Sequence, residues 1–337
     1  METFDTLLDW MVMHQVRLMQ LSIPYQVQAQ RELDETEAEV GAIAAAVAAY
    51  ITSVGGLRLD DTRGAAFIQT QVQRMRVVRN EGFVMAFNRL SANLGQAQAY
   101  EAQFYTAMLR AMGQMVQPST IVSGTPSVMG NTMDQWQERL FNNDMQRLKL
   151  GLNFGVRLGE NEAALRARLL GQSALGGIGG AVEATRRELD TLVRTATDVF
   201  ADLARVQIDT ENALTGREIY VAILDSRTTK LCTGLHGRTF EAGQGPRPPL
   251  HWYCRSTRVP LVGKRTPFLP SYREWLNRLS ARDQDEVLGP RQGAAFRAGT
   301  LAVEGFREPA WRGLDLKQMA MRERHIFEAA RMDVPFQ

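Results

Sequence analysis

Helix-forming residues fill most of the first 216 positions, and this leaves few folds open to the chain. From Tyr25 to Tyr50 it is rich in Ala, Glu, Gln and Val, with no glycine or proline except Gly41, and Pro24 marks a helix start. Phe67 to Met115 continues in the same style, with Phe83, Phe87, Leu90 and Leu94 at steps of three and four. Gly55-Gly56 and Asp60-Asp61 separate the two runs as an antiparallel turn, so the pair reads as a helical hairpin rather than an enzyme core. Gln117 to Thr132, with Pro118, Gly124, Pro126 and Gly130, reads as a linker or docking loop. Helix returns over Met133 to Leu148. A stretch bearing Gly151, Gly155 and Gly159 then leads into Glu160 to Leu170. Gly171 to Gly180 breaks the pattern again, but Gly176-x-x-Gly179-Gly180 lacks both the lysine and the preceding strand of a phosphate loop. Ala181 to Leu214 carries Leu189, Leu192, Val193, Ala196, Val199, Phe200 and Leu203 on one helical stripe, the signature of a packed face.

At Arg217 the character changes. Ile219 to Leu224 is strand-like, the chain to Pro260 is dense in Gly, Pro, Thr and Arg, and helical patterning resumes at Ser271. The expected fold class is therefore mainly α: a long helical arm and stalk, a small irregular α+β module and a helical C-terminal tail. The expected boundaries are an arm over 1–116, a loop over 117–132, a stalk over 133–216, a Cys/His module over 217–262 and a tail over 263–337. No membrane span is expected. The uncharged run from Val40 to Leu57 is mostly alanine, and Asp9, His14 and Arg17 interrupt the apolar start of the chain. Charge is uneven beneath a formal net of +2. Within Ser226 to Arg273 stand nine basic residues and a single acid, Glu241, a patch suited to polyanions or an acidic protein surface.

Both cysteines of the chain and two of its four histidines fall in that patch, as Cys232-x3-His236-x14-His251-x2-Cys254. Two close pairs of borderline ligands joined by a loop match the needs of a structural, tetrahedral zinc site, with the ion replacing a missing core. Two other readings stand beside it: a Cys232–Cys254 disulfide stapling the same loop, and two buried thiols with both histidines bonded to backbone. Nothing in the sequence marks either cysteine as an exposed nucleophile with a placed base. Asp225 reads as a turn cap or an arginine partner. Pro246, Pro248 and Pro249 stiffen the approach to His251, and Gly234 and Gly237 permit tight turns.

The string Leu224-Asp225-Ser226-Arg227-Thr228, Cys232, Leu235-His236-Gly237, Phe240, and Gly245 to Ser256 with Pro248-Pro249, His251, Cys254 and Arg255, closely resembles the phage Mu F-like family of minor head, or head-morphogenesis, proteins of tailed bacteriophages. Fainter similarity extends from Glu160 to Leu314, through Arg194-Thr195 on one side and Tyr272 to Gly299 on the other. Many members have an acid at the position of His236, and many have Cys-Arg-Cys where this chain has Cys254-Arg255-Ser256. The resemblance implies a low-copy virion protein inside the capsid near the portal, present in host cytoplasm during assembly. It implies the portal protein as partner, with major capsid or scaffolding protein, and a role in head assembly and DNA retention or ejection rather than an enzymatic one. Asp225, Arg227, Thr228, Gly237, Pro248, Pro249 and Arg255 are then the motif's structural residues. Arg227, Arg238, Arg247, Arg255 and Arg258 are the candidates for non-specific contact with packaged DNA, with Arg227 and Arg255 alternatively held by Asp225. The competing class is a metal-dependent nuclease, for which Asp225 and Glu241 are the acids at hand.

Overall fold

The computed structural model describes residues 4–55, 62–118, 126–171, 179–214, 216–225, 227–261, 269–306 and 311–336. Most of the glycine break at 171–180, and residues 119–125 of the docking loop at 117–132, fall outside them. The described residues are mainly α-helical with one small antiparallel sheet, in keeping with the expected class. Among them no helix is long and apolar enough to cross a membrane.

The chain forms two compact units, and neither is a consecutive stretch. One comprises Met1–Pro24, Leu94–Pro126 and Arg194–Gln337; the other comprises Tyr25–Asn93 and Ser127–Val193. Each unit draws on more than one of the segments expected as arm, stalk, module and tail. Helices α1 (Phe4–Asp34), α3 (Thr62–Ala111) and α6 (Ala181–Glu211) each give residues to both units.

In the second unit, α2 (Glu37–Ser53) packs on α5 (Glu162–Leu170) and α4 (Met133–Arg157). Its centre is charged. The fully buried Arg79 guanidinium makes a two-pronged pair with Asp144, Nε to Oδ2 at 2.7 Å and Nη2 to Oδ1 at 3.0 Å. Arg79 Nη1 donates to Thr36 Oγ1 and to the Leu33 carbonyl, and the Thr185 hydroxyl donates to Asp144. A buried ion pair persists only when its remaining hydrogen-bonding groups are also met, and here Leu33, Thr36 and Thr185 supply them. Gly151 and Gly155 do not end α4, which runs through both. A Cβ at either would meet Leu169 or Leu165 of α5, so these glycines are notches for leucines.

In the first unit, Pro24 lies inside α1 rather than at a helix start. Proline has no N–H, so the carbonyl four residues back loses its helical partner. That carbonyl, of Gln20, accepts instead from the Leu314 N–H at 3.2 Å. The approach is close because residue 313 is glycine: a Cβ there would stand 2.7 Å from Pro24 Cδ. The charges that interrupt the apolar start of α1 are also explained. His14 is fully buried, with Nε2 2.5 Å from Glu101 and Nδ1 2.8 Å from Glu323, and Arg17 pairs with Glu286.

The sheet orders β2 (Thr239–Glu241), β1 (Arg217–Ala222) and β3 (Ser256–Pro260), all antiparallel, with Ile219 opposite Thr239 and Tyr220 opposite Arg258. A single helical turn and a half, α7 (Lys230–Leu235), crosses between β1 and β2. Five short helices follow: α8 (Tyr272–Arg278), α9 (Ala281–Leu288), α10 (Pro290–Arg297), α11 (Leu316–Arg322) and α12 (Arg324–Ala329). They belong to the same compact unit as the sheet, so the expected tail is part of a core.

Candidate metal centre

Strand β1 sets the floor of the module. Tyr220 and Ala222 face Cys232, Leu235 and Cys254 in a small buried cluster, covered by Leu224, Phe240 and Leu250. Cys232 enters from α7, whose first turn is closed by Thr229: its hydroxyl accepts from the Cys232 N–H at 3.4 Å. His251 and Cys254 come from a tight turn in which Tyr253 takes a left-handed φ of +57°. That conformation is costly for a bulky residue, and it is held from α6. The Thr195 hydroxyl accepts from the Tyr253 N–H at 3.4 Å, and the Arg194 guanidinium lies 5.3 Å from the ring centroid.

These elements bring three ligand atoms together. Cys232 Sγ is 3.1 Å from His251 Nε2 and 3.7 Å from Cys254 Sγ, both cysteines being free thiols, and all three atoms lie within 4.8 Å of one another. Two sulfurs on one tetrahedral zinc ion, each at about 2.3 Å, would stand about 3.8 Å apart. The imidazole is also set for ligation. His251 Nδ1 is 2.8 Å from the Trp252 carbonyl, which can only accept, so Nδ1 carries the proton and the Nε2 lone pair lies on the same side as the sulfurs. Fixing the tautomer through the other ring nitrogen is a recurrent support for a metal-bound histidine. Burial alone would raise the Cys232 thiol. Hydrogen bonds from Ser256, Tyr220 and Thr229 outweigh it and hold the pKa at about 7, while burial pushes Cys254 up to about 11.

His236, the fourth ligand expected from spacing, is elsewhere. Its Nδ1 accepts from the Ala222 N–H at 3.1 Å, where the main chain leaves β1, and burial lowers its pKa so that it stays neutral. The ring extends the sheet edge begun by Gly237, whose N–H donates to the Tyr220 carbonyl and whose φ is +79°. The donor set gathered among the described residues is therefore two thiols and one imidazole.

The Asp-x-Arg-Thr string is a knot around one carboxylate. Arg255 grips Asp225 with both Nη atoms at 2.6 Å, and Arg227 approaches through Nη2 at 2.6 Å, Nε at 3.1 Å and its backbone N–H at 2.9 Å. Thr228 closes the turn, its hydroxyl accepting from the Asp225 N–H and donating to the Ile223 carbonyl. Burial would raise the Asp225 pKa, but the two guanidinia hold it at about 2. Since Arg255 follows Cys254 directly, this ion pair ties the segment before α7 to the segment after the His251 turn. Pro248 and Pro249 are joined by a cis peptide in the loop that leads there.

Of the five arginines expected to face a polyanion, most are already engaged inside the protein. Arg258 has a fully buried side chain, pairs with Glu218 at 2.8 Å and donates to the carbonyls of Pro246 and Gln244. Arg247 divides itself between Asp202 and Glu218. Density of arginine along the sequence suggests an exposed patch, but the acids that neutralise it, Asp202 and Glu218, come from α6 and β1, outside the basic stretch. Arg238 is the exposed member of the five. Residues that the sequence reading passed over include Tyr220, Thr229 and Ser256 beside the sulfurs. Thr229 was the most legible, standing three residues before Cys232 as helix caps do.

Residues 146–259, about a third of the chain, match the family described as Phage Mu protein F like protein. This segment is Mu F-like. It begins within α4, ends on β3 and contains every residue of the Cys/His cluster and the Asp225 knot. The fainter similarity read from Tyr272 to Gly299 lies beyond it. No curated protein and no solved structure matches the chain.

Proposed function

We propose that the chain is a minor head protein of a tailed bacteriophage that acts in head morphogenesis. It sits inside the capsid at the portal vertex and contributes to retention or ejection of DNA. The observation that carries this reading is the Mu F-like match over residues 146–259, which falls on the Cys/His module and its arginine–carboxylate knot. The partners are the portal protein and, during assembly, major capsid or scaffolding protein. Packaged DNA is met through salt-sensitive backbone contacts at exposed cations such as Arg238. Purified heads and procapsids test it: the protein should be present at low copy and should appear at one vertex when particles are reconstructed without imposed symmetry. Its absence from both particles would refute the assignment.

Within that role, zinc held by Cys232, His251 and Cys254 supplies a crosslink, not a reaction. Elemental analysis of the purified chain should give about one zinc per chain. Cys254→Ser should lose it, and the module should then melt earlier by an amount on the order of several kcal/mol.

One observation favours a nuclease as the second reading: three protein ligands leave a metal vertex free, as in catalytic zinc sites. Against it, no carboxylate lines the cleft beside the cluster among the described residues, and Asp225 is locked by two arginines. Strand cleavage that survives repurification and disappears in His251→Ala would establish the enzyme instead.

A further inference from the structure

The charges around Asp225 do not balance. One carboxylate meets two guanidinia, and neither guanidinium is freely solvated: the Arg255 side chain is 13% exposed and that of Arg227 29%. Confining an excess cation is unfavourable unless an anion joins it. Both arginines line a narrow cleft together with Thr229, Tyr253 and Ser256, and its wall includes Cys232 and His251. Cys254, whose sulfur is 3.7 Å from that of Cys232, is almost fully buried and does not line the cleft. Asp225 engages Nε and Nη2 of Arg227 and both Nη atoms of Arg255. Among the described residues this leaves Arg227 Nη1 and Arg255 Nε without a bonded acceptor. The exposed Lys230 adds a further positive charge at the start of α7.

We propose that this cleft is a binding site for a phosphate oxyanion, received by Arg227 and Arg255 beside the Cys232–His251 edge of the cluster. Guanidinium is the cation best matched to phosphate oxygens, and hydroxyls of Thr229 and Ser256 complete a polar wall. The cleft has room for about one oxygen atom, so a terminal phosphate oxygen enters while a base or a sugar stays outside. The metal's part in this rests on the zinc reading above; the arginine part does not. Among the described residues no carboxylate lines the cleft to take a proton, so the site is proposed to bind without hydrolysing. The same chemistry is offered by free phosphate and by the phosphodiester backbone of DNA.

The test uses the full chain loaded with cobalt(II), whose absorption reports both thiolate ligation and changes at the remaining vertex. Titration with inorganic phosphate should shift the cobalt bands. Arg227→Gln should keep metal uptake, since Arg255 still holds Asp225, yet weaken phosphate by about tenfold. Arg273→Gln, an exposed change outside the cleft, should leave it unaltered. A short DNA duplex that produces the same Arg227-dependent shift identifies the backbone as the source; a response to free phosphate alone assigns the site to the small anion. Cobalt uptake with no response to either ligand overturns the proposal while leaving the metal centre intact. If cobalt does not bind, the metal reading fails, and calorimetric titration of the metal-free chain decides the cleft. Arg227-dependent phosphate binding sustains it, and no binding refutes it.

Discussion

Asp225 shows how a short motif acquires meaning from its partners. In the sequence it could cap a turn or hold an arginine, and in the structure it does both: Thr228 closes the turn and Arg255 and Arg227 bind the carboxylate. The carboxyl is depressed from 3.8 to about 2. A depressed acid contributes stability that is present above its unfolded pKa and lost as pH falls through the folded one. Between pH 4 and 2 the fold should therefore lose about 2 kcal/mol through this group. Denaturant midpoints measured across that range should show the loss in the native chain and a flatter profile in Asp225→Asn. That variant is already weaker at neutral pH, because its two guanidinia have lost their counter-charge. An acid limb equally steep in both proteins would place the titrating group elsewhere.

At the level of elements, local patterning was legible and long-range matching was not. The helices, the strand at Ile219 and the return to helix at Ser271 follow from periodicity and capping, which are written within a few residues. So does the gathering of Cys232, His251 and Cys254, because closely spaced ligands on a short loop have few places to go. His236 is not gathered with them, because the sheet edge at Ala222 takes its ring nitrogen, a partner that spacing to Cys232 does not reveal. Pro24, Gly151 and Gly155 mislead for a related reason. Each looks like helix punctuation, but each is compensated by a residue distant in sequence: Leu314 for Pro24, Leu169 and Leu165 for the glycines. The Pro24 notch can be tested. Gly313→Ala would push a methyl group to 2.7 Å from Pro24 Cδ, and should destabilise the fold by about 1–3 kcal/mol. Combining it with Pro24→Ala, which removes the ring, should recover part of that loss in a double-mutant cycle. Strict additivity of the two changes would mean that the contact does not set the approach of Leu314.

Across the whole molecule, each compact unit is organised around buried charge rather than apolar packing alone: Arg79–Asp144 in one, His14 with its carboxylates in the other. His14 lies on α1, Glu101 and Tyr100 on α3, Arg205 on α6, and Glu323 just after α11, so helices far apart in sequence are matched by charge as well as by shape. Burial alone would strip the proton from His14. Glu101 and Glu323, one at each ring nitrogen, more than reverse this and raise its pKa. The groups facing it act together: Arg205 also pairs with Glu101, and Arg17 and the Tyr100 hydroxyl both bond Glu323. A histidine with a raised folded pKa contributes stability that is complete below about 6.5, its unfolded value, and fades as pH climbs through the folded one. Thermal midpoints should therefore fall on the alkaline side. His14→Phe preserves the ring stacked 3.6 Å from Phe104 but removes the cation between two carboxylates. It should cost about 3–5 kcal/mol at neutral pH, the usual penalty for breaking a buried pair, and lose this alkaline dependence. Should the variant prove too unstable to purify, the native chain still decides the matter. NMR titration of the His14 imidazole must show it holding its proton above the ordinary histidine value of about 6.5, and a ring that loses its proton below that value would remove the charge from the centre of this unit.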